Sequence, residues 1–239
     1  SLKQYLAGLS WECILVSNSQ YGSREKKEIE AQLKGTKLLF NERNRGFAFA
    51  VNQGIKLSAS EILLILNPDC QLTDNTVSDI LKLFEENPKI AIVGPKVRDN
   101  YNKLQLSCGR FPLHWTFLIR IPFLNSLKFI KQEKVRYFME DFNKQDIQEV
   151  DWVSGGAFFV RRAAIEKVGC MNEAFFLYME DVEWCFRFHK ASWKITYAPL
   201  TAIIHQEKHQ SVKFDLSWSS IRSLIRHLKS WYLYFKKTR

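Results

Sequence analysis

Long apolar runs are absent from the 239-residue sequence, and cysteine is scarce. No stretch approaches the ~18 uninterrupted apolar residues of a membrane-spanning helix, and the N-terminus lacks the pattern of a secretory signal. The five cysteines are an odd number without a Cys-x-x-Cys pair. This argues against a disulfide framework or a zinc site and favours a reduced, cytosolic chain. Dinucleotide-binding and P-loop motifs are missing as well, so those folds have no support.

Positive charge is abundant but unevenly spread. The net charge is +10, and two segments dominate it: residues 96–136 hold nine Lys and Arg against two acids, and residues 213–239 hold seven against one. The second segment predicts a basic amphipathic helix, because its apolar residues recur at helical spacing with basic residues largely between them. Those apolar residues are Ile221, Leu224, Ile225, Leu228, Trp231, Tyr232 and Phe235.

Three interpretations of this helix remain open at the level of sequence. Its apolar stripe could dock on the core of the domain, or it could lie on an anionic bilayer with its aromatic residues in the headgroup layer. Amphipathicity alone does not separate the two. A nucleic-acid interface is the third interpretation, but no helix-turn-helix, RNP or zinc-finger signature supports it, so no nucleic-acid partner is expected.

Strand-like and helix-like segments alternate along the chain. Strands are predicted at 12–17, 37–41, 62–66, 90–97, 151–162 and 195–205, and helices at 23–35, 47–58, 73–87 and 179–191. Alternation of this kind favours an α/β fold with a mostly parallel central sheet flanked by helices. Residues 100–150 are expected to be irregular. We expect a domain at 1–212 that shares one sheet and one core, followed by the C-terminal helical segment 213–239.

Several polar positions could carry chemistry, and each also has a structural interpretation. Asn67-Pro68-Asp69 follows a buried strand, where a carboxylate could hold a metal or simply cap a turn. Glu180-Asp181 begins a helix, where one acid could act as a general base or both could stabilise the helix dipole. His205 ends an apolar strand and could bind a metal, contact a phosphate or be structural. Gly155-Gly156 and Arg45-Gly46 could approach a ligand or form turns.

The order and spacing of six segments resemble the glycosyltransferase family 2 enzymes, and within them the bacterial rhamnosyltransferase-like branch. The segments are NRGFAFAVNQGI (44–55), EILLILNPDC (61–70), AIVGPKV (91–97), DWVSGGAFFVRRAA (151–164), FFLYMEDVEWCFRFHKASWKITYAP (175–199) and His205. The resemblance covers roughly residues 4–235. It implies a GT-A fold, a nucleotide-sugar donor, a divalent metal (Mg²⁺ or Mn²⁺) and transfer with inversion at the anomeric carbon.

The same resemblance assigns roles to individual residues. It implies that Asp69 holds the metal and the diphosphate with His205 near the metal, and that Asp181 of the Glu180-Asp181 pair is the general base. The implied donor-binding positions are Asn18, Asn44, Arg45, Gly46, Asn67 and Arg187. The implied lining of the donor and acceptor pocket is Ser154, Gly155, Gly156 and Trp184.

The sequence also departs from the family pattern. The family's first apolar strand is expected to be missing, because the chain starts where the following helix would be. Ser17 stands where an acidic residue is expected to contact the nucleotide base. The remaining departures are Cys170, Asn172, Glu183 and Trp184.

Two functions follow from the resemblance. The first is an inverting glycosyltransferase of cell-surface glycan synthesis, with rhamnose as the candidate sugar and a lipid-linked or polysaccharide acceptor. Its basic segments would seat it on an anionic membrane surface, peripherally at the inner, cytoplasmic face of the cell membrane. The alternative is a non-catalytic glycosyltransferase-like module that binds a membrane or a partner, which Ser17 and the missing strand favour.

Overall fold

A computed structural model describes residues 2–73, 77–206 and 218–238 of the chain. The helices are α1 (Leu2–Tyr5), α2 (Ser23–Gln32), α3 (Phe47–Leu57), α4 (Val77–Glu86), α5 (Lys128–Phe138), α6 (Arg162–Val168), α7 (Glu180–Lys190) and α8 (Trp218–Lys237). The strands are β1 (Ile14–Ser17), β2 (Lys37–Phe40), β3 (Ile62–Leu66), β4 (Cys70–Leu72), β5 (Ile90–Arg98), β6 (Cys108–Gly109), β7 (Gln148–Val150), β8 (Trp152–Val153), β9 (Ala157–Arg161) and β10 (Lys194–His205). Two 3₁₀ helices, Thr116–Arg120 and Pro122–Leu124, precede α5.

A six-stranded sheet forms the centre of the fold. Its main order is β3-β9-β5-β10-β4, and β7 pairs with another part of β10. Strand β5 runs parallel to β10, whereas β9 is antiparallel to both β3 and β5. Strands β1 and β2 form a separate parallel pair, and β6 and β8 a separate antiparallel pair.

Apolar side chains cover both faces of the central sheet. Along β9, Phe158 and Val160 belong to one buried cluster, while Ala157 and Phe159 belong to the other. Because successive residues of a strand point to opposite faces, this alternation places one cluster on each side of the sheet. Helix α7 contributes to the first cluster and α4 to the second.

The expected α/β class is confirmed, but the central sheet is mixed rather than mostly parallel. Three strands account for the difference, since β9 enters antiparallel between β3 and β5, and β4 and β7 both run antiparallel to β10. An apolar run such as Ala157–Val160 has the same pattern in either direction, so the sequence could not fix its orientation.

Other expectations need correction. Strands β3, β4 and β5 share the central sheet with β7, β9 and β10, but within the described residues β1 and β2 pair only with each other. Residues 100–150 are not wholly irregular, since they include β6, β7, α5 and the two 3₁₀ helices. These elements are too short, or bury too few of their residues, to give the sequence a clear apolar periodicity. The expected boundary between residues 212 and 213 lies outside the described residues.

Strand ends converge at one edge of the sheet. Leu66 at the end of β3 pairs with Ala157 at the start of β9, and His205 at the end of β10 pairs with Cys70 at the start of β4. The connections that follow or precede these residues therefore lie side by side. No helix in the described ranges combines the length and the apolar character needed to cross a membrane.

Glu12 ties the β1–β2 pair to the connection between α3 and β3. Its carboxylate accepts hydrogen bonds of 2.7–3.1 Å from the Ser58 and Ser60 hydroxyls and the Ala59 N–H, and it pairs with Lys37 at 2.7 Å. The Lys37 ammonium, together with the Ala59 N–H, lowers the pKa of Glu12 to about 2. Ionised Glu12 therefore stabilises the attachment of β1.

The variant Glu12→Gln should flatten the acid dependence of stability. An unfolded glutamate titrates near pH ~4.3, so the stabilisation by ionised Glu12 is present above that pH and is lost as the pH falls toward about 2. Denaturant unfolding of the wild type between pH 5 and 2 should show a steeper loss of unfolding free energy than the variant. Glu28→Gln, which removes an exposed pair with Arg24 on α2, is the control. Equal slopes for Glu12→Gln and wild type would contradict this role.

Candidate active site

Asp69 and His205 face each other across the converging strand ends. Asp69 follows β3 through Asn67-Pro68, and His205 is the last residue of β10. The His205 Nε2 atom lies 3.4 Å from the Asp69 Oδ1 atom, and about half of the Asp69 side chain is exposed. With the Cys70 sulfur, these donor atoms all lie within 4.8 Å of one another.

Gln105 contacts the ring nitrogen of His205 that faces away from Asp69. The Oε1 atom of Gln105 lies 3.2 Å from Nδ1 of His205, and it accepts a hydrogen bond when His205 carries its proton on Nδ1. In neutral His205 the Nε2 lone pair then faces the Asp69 carboxylate, and these two acceptors repel unless a cation or a proton lies between them. A carboxylate oxygen and an imidazole nitrogen so placed fit a divalent ion such as Mn²⁺.

Backbone contacts hold this group against the turn between β8 and β9. The Asn67 N–H donates to the Gly156 carbonyl at 2.9 Å, and the Cys70 thiol contacts the same carbonyl at 3.4 Å. Burial, reinforced by the charge of Asp69, raises the pKa of Cys70 to about 12. Cys70 is thus a neutral hydrogen-bond donor that fixes the turn.

The acidic pair begins helix α7 on the other side of the same turn. The Gly155 N–H donates to Asp181 Oδ2 at 2.7 Å, and the Val182 N–H donates to Asp181 Oδ1 at 2.8 Å. Glu180 is buried and Asp181 is partly buried, and Glu180 Oε2 has no hydrogen-bond partner among the described residues. The two acids therefore have unequal surroundings.

These surroundings separate the protonation states of the pair. Burial, followed by the charge of Asp181, raises the pKa of Glu180 to about 8. Burial also raises the pKa of Asp181, while its backbone N–H donors favour the ionised form. At neutral pH we therefore place the proton on Glu180 and the negative charge on Asp181, whose elevated pKa makes it a stronger base than an exposed carboxylate.

Gly155 and Gly156 connect the acidic pair to the histidine and Asp69. A Cβ at Gly155 would lie 3.2 Å from the Phe47 ring and 3.3 Å from Asp181 Oδ2. A Cβ at Gly156 would lie 3.8 Å from Cε1 of His205. Ser154 anchors the turn by donating its N–H to the Ser107 carbonyl at 2.8 Å. The structure thus brings together Asn67, Asp69, Ser154, Gly155, Gly156, Glu180, Asp181 and His205.

A second group of residues predicted from the sequence lies at the loop before α3, where Asn18, which follows β1, contacts residues 44–46. Asn18 donates to the Gly46 carbonyl at 2.9 Å, and Asn44 Oδ1 accepts from the Gly46 N–H at 2.9 Å. Gly46 has φ of 95°, and a Cβ there would lie 2.6 Å from the Phe176 carbonyl oxygen, so only glycine fits. The Arg45 guanidinium lies 3.6 Å from the centre of the Phe49 ring.

A cleft of about 330 Å³ opens beside this loop. It is lined by Arg43, Asn44, Arg45, Phe49, Glu173 and Phe176. An aromatic ring beside cationic and amide groups offers stacking and hydrogen bonds to a polar ligand with a planar part.

Trp184 and Arg187 are not brought to either site. Trp184 is completely buried in the core, and its indole N–H donates to the Gly169 carbonyl at 2.8 Å. The Arg187 guanidinium pairs with Glu183 at 3.0 Å and donates to the carbonyls of Val168 and Cys170. Both side chains fix α7 to the preceding loop, since their polar groups already have partners there.

The loop that leads into α7 is strained and is held by α8. Tyr178 and Met179 have φ angles of 72° and 67°, which non-glycine residues adopt at a cost. The Ser230 hydroxyl donates to the Leu177 carbonyl at 2.8 Å, and the His227 ring lies 4.8 Å from the Tyr178 ring. Sequence reasoning missed Ser230, His227 and Gln105, because no local motif links them to partners that lie 49 to 100 positions away.

Ser230→Ala should loosen this loop. It removes the hydroxyl donor from the Leu177 carbonyl, and a lost hydrogen bond of this kind costs about 1 kcal/mol. Hydrogen exchange of the amides at 175–183 should accelerate about fivefold in the variant. Thr238→Val is a matched control, since the Thr238 hydroxyl donates to the Tyr234 carbonyl within α8. Unchanged exchange at 175–183 in Ser230→Ala would show that α8 does not hold the loop.

Comparisons with known proteins find glycosyltransferases among the relatives of this chain. A rhamnosyltransferase of Mycobacterium tuberculosis named for N-acetylglucosaminyl-diphospho-decaprenol is 25% identical over an alignment that covers 98% of this chain and 79% of that protein. The rhamnosyltransferase WbbL of Escherichia coli is 23% identical, with coverage of 84% and 71%. The crystal structure of GalNAc-T7 with UDP, GalNAc and Mn²⁺ superposes with a TM-score of 0.63 at 14% identity.

That superposition covers 98% of this chain and 42% of GalNAc-T7, so this chain spans less than half of that protein and the likeness concerns the fold. The model of glycosyl transferase family 2 matches residues 1–169, which is most of the chain. With its α/β fold of the GT-A type, the chain belongs to glycosyl transferase family 2 and is a glycosyltransferase.

Proposed function

We propose that the chain transfers a sugar, with rhamnose as the candidate, from a nucleoside diphosphate to a lipid-linked or polysaccharide acceptor, with inversion at the anomeric carbon. The turn Ser154–Gly156 carries this proposal. Its Gly155 N–H binds Asp181, and its Gly156 lies beside His205 and receives the Asn67 N–H. A direct displacement needs a base and a cation site near one another, and this turn supports both.

Asp181 serves as the general base in this proposal. As the acceptor hydroxyl attacks the anomeric carbon, its proton passes to a carboxylate oxygen of Asp181. A bond forms between the acceptor oxygen and the anomeric carbon while the bond from that carbon to the diphosphate breaks. The electron pair of the broken bond leaves on the nucleoside diphosphate. The N–H groups of Gly155 and Val182 orient the carboxylate throughout the step.

Asp69 and His205 would hold a divalent metal, Mg²⁺ or Mn²⁺. Such an ion neutralises the charge that develops on the departing diphosphate. Asp69 offers an exposed oxygen, and a His205 tautomer that donates from Nδ1 to Gln105 would leave the Nε2 lone pair for the same ion. Two protein ligands suffice, because diphosphate oxygens and waters complete the coordination of such ions.

The cleft beside Asn44 and Arg45 would bind the nucleoside of the donor. It lies beside Phe176, which precedes the acidic pair in the same loop. Ser17 ends β1, where the family resemblance expects an acid for the base, so binding of the base would rely on Asn18, Arg45 and Phe49. The rhamnosyltransferase relatives support rhamnose as the transferred sugar.

The acceptor proposal also draws on those relatives. The mycobacterial relative is named for a diphospho-decaprenol substrate, which is a lipid. A lipid-linked acceptor stays in the bilayer, so an enzyme that uses it must approach the membrane surface. We therefore place the chain peripherally at the inner, cytoplasmic face of the cell membrane, where its basic residues would face anionic lipid.

Asp181→Asn should reduce transfer at least about a hundredfold while sparing donor binding, because the amide cannot accept the acceptor's proton. Glu180→Gln is the matched control. Since Glu180 is protonated at neutral pH, its isosteric amide should leave turnover within a few-fold of wild type there. Turnover of both variants should be measured beside a donor-binding titration.

The opposite pattern, with loss in Glu180→Gln and near-normal turnover in Asp181→Asn, would make Glu180 the base. Near-normal turnover in both variants would remove the acidic pair from the mechanism.

Donor binding should depend on the metal and on Asp69. A ligand that binds only the folded state raises the melting temperature, so a rhamnose nucleotide with Mn²⁺ should raise it and chelator should abolish the shift. Asp69→Asn should lose the shift, while Asp79→Asn, an exposed acid on α4, should keep it. Absence of any shift across a nucleotide-sugar panel, from a protein that melts cooperatively, would favour the non-catalytic alternative.

A further inference from the structure

Helix α8 has two separate apolar faces. Trp231 and Tyr234 are buried against the core, together with Ser230. Leu224, Ile225, Leu228 and Tyr232 are exposed. At 100° per residue, the buried and exposed groups are centred about 120° apart around the helix axis. Docking of α8 on the domain therefore uses one apolar face and leaves the other facing solvent.

A second exposed apolar segment lies beside α8. The two 3₁₀ helices and the start of α5 present Trp115, Phe123 and Phe129, and Phe123 is 78% exposed. This segment contacts α8 directly, since His114 stacks on Phe235 at 4.3 Å and Phe117 lies 6.5 Å from Trp231. More than half of the large exposed apolar side chains in the described ranges belong to α8 or to residues 115–135.

The charges around these side chains have one sign. Residues 112–132 and helix α8 contain no Asp or Glu. The exposed cations there include Arg120, Lys128, Lys131, Arg226, Lys229 and Lys236. None of these six forms an ion pair with a described acidic residue, although Arg226 lies over the Phe176 ring. Exposed apolar groups and unpaired cations thus occur together.

We propose that the exposed face of α8 and residues 115–131 form one docking surface for an anionic lipid bilayer. Aromatic and aliphatic side chains enter the headgroup layer while lysine and arginine meet lipid phosphates. A second copy of the chain fits less well, since it would bring the same positive charges against each other. This inference rests on the proposed function for its acceptor and adds the surface that meets the membrane.

The docking surface is joined to the loop that precedes the acidic pair. On α8, Arg226 contacts Phe176 and Ser230 bonds Leu177, immediately before Glu180 and Asp181. Helix α8 therefore carries part of the docking surface and also contacts this loop. An acceptor whose lipid stays in the bilayer would present its sugar close to the catalytic acids.

The test is co-sedimentation of the full chain with phosphatidylcholine vesicles with and without phosphatidylglycerol. Binding should require phosphatidylglycerol and weaken with salt. Leu228→Glu should reduce binding at least about tenfold, because it places a charge on the apolar face. Lys229→Ala should reduce it about fivefold. Leu57→Glu, at 45% exposure against 44% for Leu228, is the matched control on α3 and should bind like wild type.

A second variant tests whether Leu228→Glu loses vesicle binding only because α8 detaches from the domain. Phe123→Ser changes a side chain outside α8 and should also weaken vesicle binding at unchanged melting temperature. Failure of wild type to bind phosphatidylglycerol vesicles at low salt, or an equal loss in Leu57→Glu, would overturn the proposal. A dimer seen by light scattering and abolished by Leu228→Glu would replace it with self-association.

Transfer to a short, water-soluble acceptor separates this inference from the proposed function. Leu228→Glu should retain that activity while it loses vesicle binding. Wild type that binds vesicles but transfers no sugar would support the docking surface and count against the proposed function.

Discussion

The hydrogen bond from the Gly155 N–H to Asp181 is the interaction on which the rest of the site depends. A turn of three residues connects β8 to β9, and it directs one N–H to the acidic pair and one carbonyl to the residue after β3. A side chain at 155 would press on Phe47 and Asp181, and position 156 lies in contact with His205. One short turn therefore sets the position of the proposed base relative to the proposed metal ligands, and neither can shift without the other.

A buried acidic pair is costly, and the fold offsets that cost unevenly. Asp181 receives two backbone N–H groups at the start of α7, where the helix dipole favours negative charge. Glu180 receives no such donor at Oε2, and its pKa rises to about 8. The strained residues Tyr178 and Met179 place the pair at this helix start. Contacts from α8 compensate for that strain, which is typical of functional sites.

The local pattern of apolar residues predicted the helices and strands that position the site. Strand direction and side-chain partners depend on long-range contacts, which that pattern does not encode. The predicted strand at 62–66 has the bounds of β3, and the predicted helix at 179–191 contains α7. Apolar periodicity does not encode strand direction, so the antiparallel entry of β9 was missed. Gln105 approaches His205 across 100 residues, and Trp184 packs into the core. The position of a residue in a helical motif specifies neither the direction of its side chain nor the residue that it contacts.

Helix α8 shows why one sequence pattern supported two interpretations. Its apolar residues cover a sector wide enough for both a buried face and an exposed one, so a single stripe was compatible with docking on the core and with contact to a bilayer. In the structure Trp231 and Tyr234 are buried in the core, whereas Leu228 and Tyr232 are exposed to solvent. The two interpretations therefore concern different faces of the same helix. Because its buried face holds the loop of the acidic pair, attachment at the exposed face would place the proposed catalytic acids beside the membrane.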